Sequence, residues 1–496
     1  MANLFTVRVA RPVAVTVLAG LIFTSALGDA RGQSSTSEAW RKQAPGATAT
    51  KPLRLPAVRR IRLQNGLSVV TVEDHRAPIV TISIAIPVGS VNDPAGSAGI
   101  AAATAELLTA GAGARTSRDI TDEIERLGGQ MTAVAHPDYT EITASVLTEN
   151  RDRFLAIAAL VTLHPDFPAD EVALYKDNRA QTVVLDHQDP SYVAHEYFNR
   201  AVYGGYPYAV LSPTAESIAS LSRASIQQFH KEHYIPEGSV IVLVGDFDPS
   251  AMESQVKSVF EGWKAQARHA DSVVSLAPTG GQRIYLIDRP GSEQADIRIG
   301  NLSAKRSAAD FIPLIIANTV LGGGTSSRLF LNVREEKGYA YDVASSLDAL
   351  RDFGAFYSQT ETRNEVAAPA IREILAEFNR LRKEKISEDD LRHAKNFIDG
   401  TFALALSTQA GVASRLVYAS IYGLGADFLE TFRDRVDAVT IDEVQRAAQN
   451  YILPEQATIV VVGDASNLKK SLGALGRVQV IEPAQAAPSA GSGKNQ

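Results

Sequence analysis

The ordered part of the chain opens on alternating apolar and polar positions. Residues 67–74 (LSVVTVED) and 79–90 (IVTISIAIPVGS) alternate with many β-branched residues, which predicts two strands, and Asn65-Gly66 supplies the turn ahead of the first. The period then changes. Residues 96–113, GSAGIAAATAELLTAGAG, are rich in Ala and Leu and predict a helix from about Ile100 to Thr109. Further on, YIPEGSVIVLVGDFD (234–248) is echoed by YILPEQATIVVVGDAS (451–466). Each copy follows a stretch with apolar residues at helical spacing, 226–233 and 444–451. FPADEVALYKDN (167–178) has a matching counterpart in ISEDDLRHAKNF (386–397), where Ser387 and Asp390 form a helix N-cap pair. RIYLIDRP (283–290) and QADIRIGNLS (294–303) open a second half as the early strands open the first. The chain is a tandem duplication. Each half predicts an α+β domain in which helices pack on one face of a mostly antiparallel sheet, and two such lobes would enclose a cavity.

The ends and the middle have a different texture. Residues 1–33 carry Arg8 and Arg11, an apolar run from Val13 to Leu27, and small residues at Ala26, Gly28 and Ala30, the layout of a secretory leader. The alternative is an uncleaved anchor, which the shortness of the run disfavours. Residues 34–54 are polar and aperiodic and read as a linker. The domain scheme is therefore 55–264 for the first half, 265–281 for a linker containing PTGG, 282–480 for the second half, and 481–496 for an Ala/Pro/Gly/Ser tail. Cleavage would leave a periplasmic or secreted protein with no membrane segment. The 496 residues contain no cysteine, which excludes disulfides, Cys–metal sites and Cys nucleophiles. A net charge of −7 with interspersed signs gives no footprint for nucleic acid.

The duplication, the Gly-Asp strand ends and the 96–113 segment together resemble the pitrilysin/insulinase-like zinc peptidases, the family that includes mitochondrial processing peptidase. The resemblance spans roughly residues 60–464. In active members a Gly-Leu-Ala run leads into HxxEH on a helix; the two His bind zinc and the Glu activates water. Laid on that motif, Ala102 stands at the first His, Ala105 at the Glu and Glu106 at the second His. Thr182, in QTVVLDHQDP (181–190), stands at the third ligand, a Glu in the family. This is a degenerate zinc motif, with no metal expected in this chain. FHKEHY (229–234) is a decoy, since His230 and His233 lie three apart and not four; they read as a helix end satisfying nearby carbonyls.

Residues 321–346, LGGGTSSRLFLNVREEKGYAYDVASS, predict a helix over about 327–337, Gly338 as its left-handed stop, and a strand over 339–345. In the family this run supplies an Arg and a Tyr that donate to the substrate carbonyl oxygen, and they fall on Arg334 and Tyr341. From side-chain chemistry alone, Arg334 could equally pair with Glu335 or Glu336, and Tyr341 could be a core aromatic. Gly322, Gly323 and Gly324 would allow an extended peptide to approach closely, or simply form a flexible helix entry. Some bacterial members divide the work between two chains, one carrying HxxEH and the other the Arg/Tyr pair. The resemblance implies a non-catalytic subunit of the second type, with zinc in a homologous partner and an extended peptide as substrate. The alternative is a peptide-binding or assembly scaffold with the same fold and no proteolytic role.

Overall fold

The computed structural model describes residues 57–264, 276 and 280–482. The proposed leader and the linker after it, most of the 265–281 linker, and the tail beyond Glu482 lie outside the described residues. The first half builds a six-stranded sheet from Val58–Arg62 (β1), Ser68–Glu73 (β2), Ile79–Ile86 (β3), Gln130–Ala135 (β4), Thr140–Leu147 (β5) and Val240–Gly245 (β6), in the order β1-β2-β6-β3-β5-β4. The second uses Arg283–Asp288 (β7), Gln294–Ser303 (β8), Ala340–Ala349 (β9), Gly354–Arg363 (β10), Thr458–Gly463 (β11) and Val478–Ile481 (β12), in the order β9-β10-β8-β11-β7-β12. The echoed Gly-Asp strands, β6 and β11, hold the same place. Each is buried at all six positions and pairs parallel to one neighbour and antiparallel to the other.

Six helices position the site: Ile100–Glu106 (α1), Ala169–Asp186 (α2), Pro190–Tyr203 (α3), and their second-half counterparts Phe311–Gly322 (α4), Glu388–Ala405 (α5) and Gln409–Ile421 (α6). The caps follow the sequence. Asp189 accepts from Ser191 N–H ahead of Pro190, and Ser387 and Asp390 form a reciprocal capping box.

Helices on one face of each sheet account for only part of the packing. The other face is covered by a helix from the opposite half: α3 lies on β8 and β11, and α6 lies on β3 and β6. Val193, Ala194, Phe198 and Val202 of α3 form one apolar cluster with Ile287, Tyr357, Val460 and Val462 of the second sheet. In return, Gln409 of α6 donates to the Asp74 carbonyl at 3.2 Å, and Val412, Leu416 and Val417 are buried. A fully buried Phe or Leu contributes about 1.5–3 kcal/mol, so this exchange binds the halves far more firmly than a single linker would.

Candidate functional site

The emptied helix α1 begins at Gly99, which sits at φ +95° and would bring a Cβ within 3.1 Å of Pro213. Its start is pinned by Asp93, whose carboxylate accepts from Gly99 N–H at 2.6 Å and Ala101 N–H at 3.0 Å. Burial nevertheless raises the Asp93 pKa to about 6, outweighing both bonds. Ala102 faces a cavity of about 610 Å³ between the halves, whose walls include Arg179 of α2, His195, Asn199 and Tyr203 of α3, and Tyr418 and Tyr422 from the second half.

The residues at the motif positions do not fit zinc. Ala105 is fully buried, leaving no room for a carboxylate without repacking. Glu106 is exposed along one side, yet partial burial of its carboxyl raises its pKa and Arg179 opposes the shift. Thr182 is exposed and donates to the Asn178 carbonyl at 3.0 Å, while Arg179, one turn earlier, enters the cavity. A guanidinium there repels a cation. His230 is tied to the Thr162 carbonyl at 2.9 Å, and burial lowers its pKa to about 4; His233 lies against Phe229 with ring centroids 4.5 Å apart. Among the described residues no three His, Asp or Glu side chains could hold a metal ion together.

The Arg334 segment is more unusual than its sequence suggests. Phe330–Glu336 is π-helix, and Gly338 stops it at φ +62°. Gly338 N–H donates to the Arg334 carbonyl and Tyr339 N–H to the Val333 carbonyl, both at 3.0 Å. Each bond reaches one residue further back than in an α-helical end of this kind, because the π turn holds one residue more. β9 then begins with a bulge: Ala340 pairs with Thr362 and Val343 with Thr360, leaving Tyr341 and Asp342 together opposite Glu361. The strand also runs to Ala349, beyond the alternating stretch, because it keeps pairing with β10 as far as Gly354. Tyr341 is 85% exposed, so it is not a core aromatic. The Arg334 guanidinium lies 4.5 Å from the Phe330 ring centroid and 5.0 Å from that of Tyr341, with Glu335 3.5 Å from its Nε. Tyr341 lines a second cavity along β8, β9 and β10 with Asp296, Arg298 and Glu361, separate from the one bordered by Ala102. Gly322 packs where a Cβ would meet Ser345 N at 2.4 Å, Gly323 lies against Thr319, and only Gly324 is open.

Sequence reasoning missed Arg179 and Asp138. Asp138, fully buried in the β4–β5 turn, accepts from the hydroxyls of Tyr208 and Tyr422 and from Arg351 N–H, while the Arg351 guanidinium reaches the Asp138 carbonyl. It thereby joins the halves beside the cavity. Neither residue belongs to a motif, and nothing in spacing distinguishes them.

Comparison with known proteins agrees with this architecture. Residues 68–211 match the insulinase (peptidase family M16) profile and residues 220–398 the peptidase M16 inactive domain. An uncharacterized zinc protease of Mycobacterium bovis is 28% identical over 432 residues, covering 86% of this chain and 98% of its own length. One of Bacillus subtilis is 26% identical over 416 residues, covering 83% and 99%. The crystal structure of a peptidase M16 inactive domain from Pseudomonas fluorescens superposes with a TM-score of 0.78 at 25% identity, over 82% of this chain and 98% of that one. A protease from Helicobacter pylori shares the fold at TM-score 0.76 and 22% identity, over 82% of this chain and all of that one. With both domain profiles matched in chain order and two duplicated α+β lobes to carry them, the chain belongs to peptidase family M16.

Proposed function

We propose that this chain is the non-catalytic subunit of an exported heteromeric zinc peptidase. It supplies Arg334 and Tyr341 as donors to a substrate carbonyl, together with a cavity wall, while zinc and HxxEH belong to a homologous partner. The observation that carries this reading is the state of the two donors. The Arg334 guanidinium is clasped between Phe330 and Tyr341, Tyr341 is held out on a bulge of an edge strand, and neither side chain makes a hydrogen bond among the described residues. Donors with hydrogen-bonding capacity to spare, Arg334 sharing only a 3.5 Å ion pair with Glu335, are what stabilisation of a developing oxyanion requires. The relatives' naming as zinc proteases supports a proteolytic setting, and the leader pattern supports export.

The test reconstitutes this chain with an HxxEH-bearing homologue from the same genome and measures peptide turnover per assembled complex. Arg334→Ala and Tyr341→Phe should each lower kcat by about ten- to a thousandfold while assembly stays intact. Unchanged turnover in both variants refutes the role. Peptide binding without turnover in any combination would favour a scaffold instead.

A further inference from the structure

We propose that the cavity between the halves binds the free carboxylate end of a peptide, with Arg179 as its anchor. This stands apart from the roles of Arg334 and Tyr341, which lie outside that cavity. Three observations carry it. The first is the guanidinium itself. Arg179 makes no hydrogen bond among the described residues, and its one ion pair, with Asp186, spans 4.0 Å, beyond hydrogen-bond reach. A planar fork of five N–H groups at a cavity wall matches a carboxylate bidentately.

The second is a pair of buried polar atoms with nothing to bind. Tyr203 is 1% exposed and its hydroxyl has no partner; Asn199 is 8% exposed and its Oδ1 has none. Both residues line the same cavity. Buried groups of this kind are normally satisfied; this donor and acceptor, each with less than 1 Å² of accessible surface, lie just behind the wall, and a side-chain rotation would bring them to a ligand that offers both. A peptide end does so, because its backbone N–H groups would suit Asn199 Oδ1 and its carbonyls the Tyr203 hydroxyl.

The third is the surrounding charge. The acids nearest the cavity are already engaged or face water. Asp93 spends both oxygens on Gly99 and Ala101, Asp348 accepts from Tyr357, and Glu106 keeps an exposed side although burial raises its pKa and Arg179 opposes that shift. His195 is held neutral, its pKa lowered to about 4 by burial and by the charge of Arg298. Arg179 is thus the charged group with hydrogen-bonding capacity left for a ligand. About 610 Å³ lies within the range of cavities that take ligands of this size.

The experiment uses the chain without its leader and two randomised tetrapeptide libraries, one of free acids and one of C-terminal amides, with sodium acetate as a small carboxylate. Binding is read by saturation-transfer NMR and by the shift in unfolding temperature. The free-acid library should bind and the amide library should bind at least about tenfold more weakly; acetate at the same concentration should give no shift. Arg179→Gln should weaken free-acid binding about 10- to 100-fold, the loss expected for charge-assisted hydrogen bonds. Ala102→Leu, which fills the cavity from α1 without altering the Arg179 side chain, should also abolish binding, guarding against misfolding of the Arg179 variant. Equal binding of acids and amides, a response to acetate equal to that of the acid library, or binding that survives both substitutions overturns the proposal.

Discussion

Removing the Asp138 carboxylate should loosen the two halves from one another, and the structure sets the size of the effect. Its oxygens accept three hydrogen bonds: from Tyr208, from Tyr422 at 3.0 Å and from Arg351 N–H at 2.9 Å. Asp138 is 0% exposed and Tyr208 5% exposed, so water cannot readily replace the lost acceptor. A buried donor left unsatisfied costs about 1–3 kcal/mol, and breaking a buried charged network about 3–5 kcal/mol. Asp138→Ala should therefore destabilise by about 3–5 kcal/mol. Asp138→Asn keeps one acceptor oxygen but turns an NH₂ toward a donor, and should cost about half as much. Urea titrations followed by tryptophan fluorescence measure both. A double-mutant cycle with Tyr422→Phe should give a coupling of about 1–2 kcal/mol with Asp138. Because Tyr208 and Tyr422 both line the cavity, peptide binding there should weaken in parallel. A loss below about 1 kcal/mol for Asp138→Ala, or equal losses for Ala and Asn, would refute the account of this hub.

Metal analysis after dialysis should find no stoichiometric zinc on the purified chain; one zinc per chain, lost on replacing His230 or His233, would contradict the geometry given for that helix end. The combined Ala102→His, Ala105→Glu and Glu106→His variant should not become an efficient peptidase, because Ala105 is fully buried and Arg179 occupies the cavity, and turnover of a quenched peptide is the check. Gly322→Ala should cost about 1–3 kcal/mol by overpacking against Ser345, seen as a lower urea midpoint, whereas Gly324→Ala, with open space around it, should be nearly neutral. His195 and His230 have folded pKa values lowered to about 4 from an ordinary 6.5. The unfolded chain takes up protons first as pH falls, so their contribution is complete above about pH 6.5 and is lost progressively toward pH 4. His230→Gln should flatten the dependence of unfolding temperature on pH in that window, and an unchanged slope would remove this assignment.

The sequence by itself determined the elements and their repetition. Period-two runs gave strands, the echoed Gly-Asp segments took equivalent central places in two sheets, and Ser387 with Asp390 capped a helix where their spacing said they should. It also showed that three of the residues at the degenerate motif, Ala102, Ala105 and Thr182, carry no group that holds zinc well, because side-chain identity is local information. Tertiary structure alone removed one of two chemically equal readings of Tyr341, the core aromatic. Exposure depends on a bulge that arises only when β9 pairs with β10, and the sequence of β9 does not encode its partner's register. The same is true of the crossing of α3 and α6, since an apolar helix face specifies burial but not which sheet provides it. Arg179 and Asp138 acquire significance only through neighbours brought together by that crossing and by the sheet it covers. A single Arg on a helix, or a single Asp in a turn, becomes a site when the fold supplies a cavity or three donors around it.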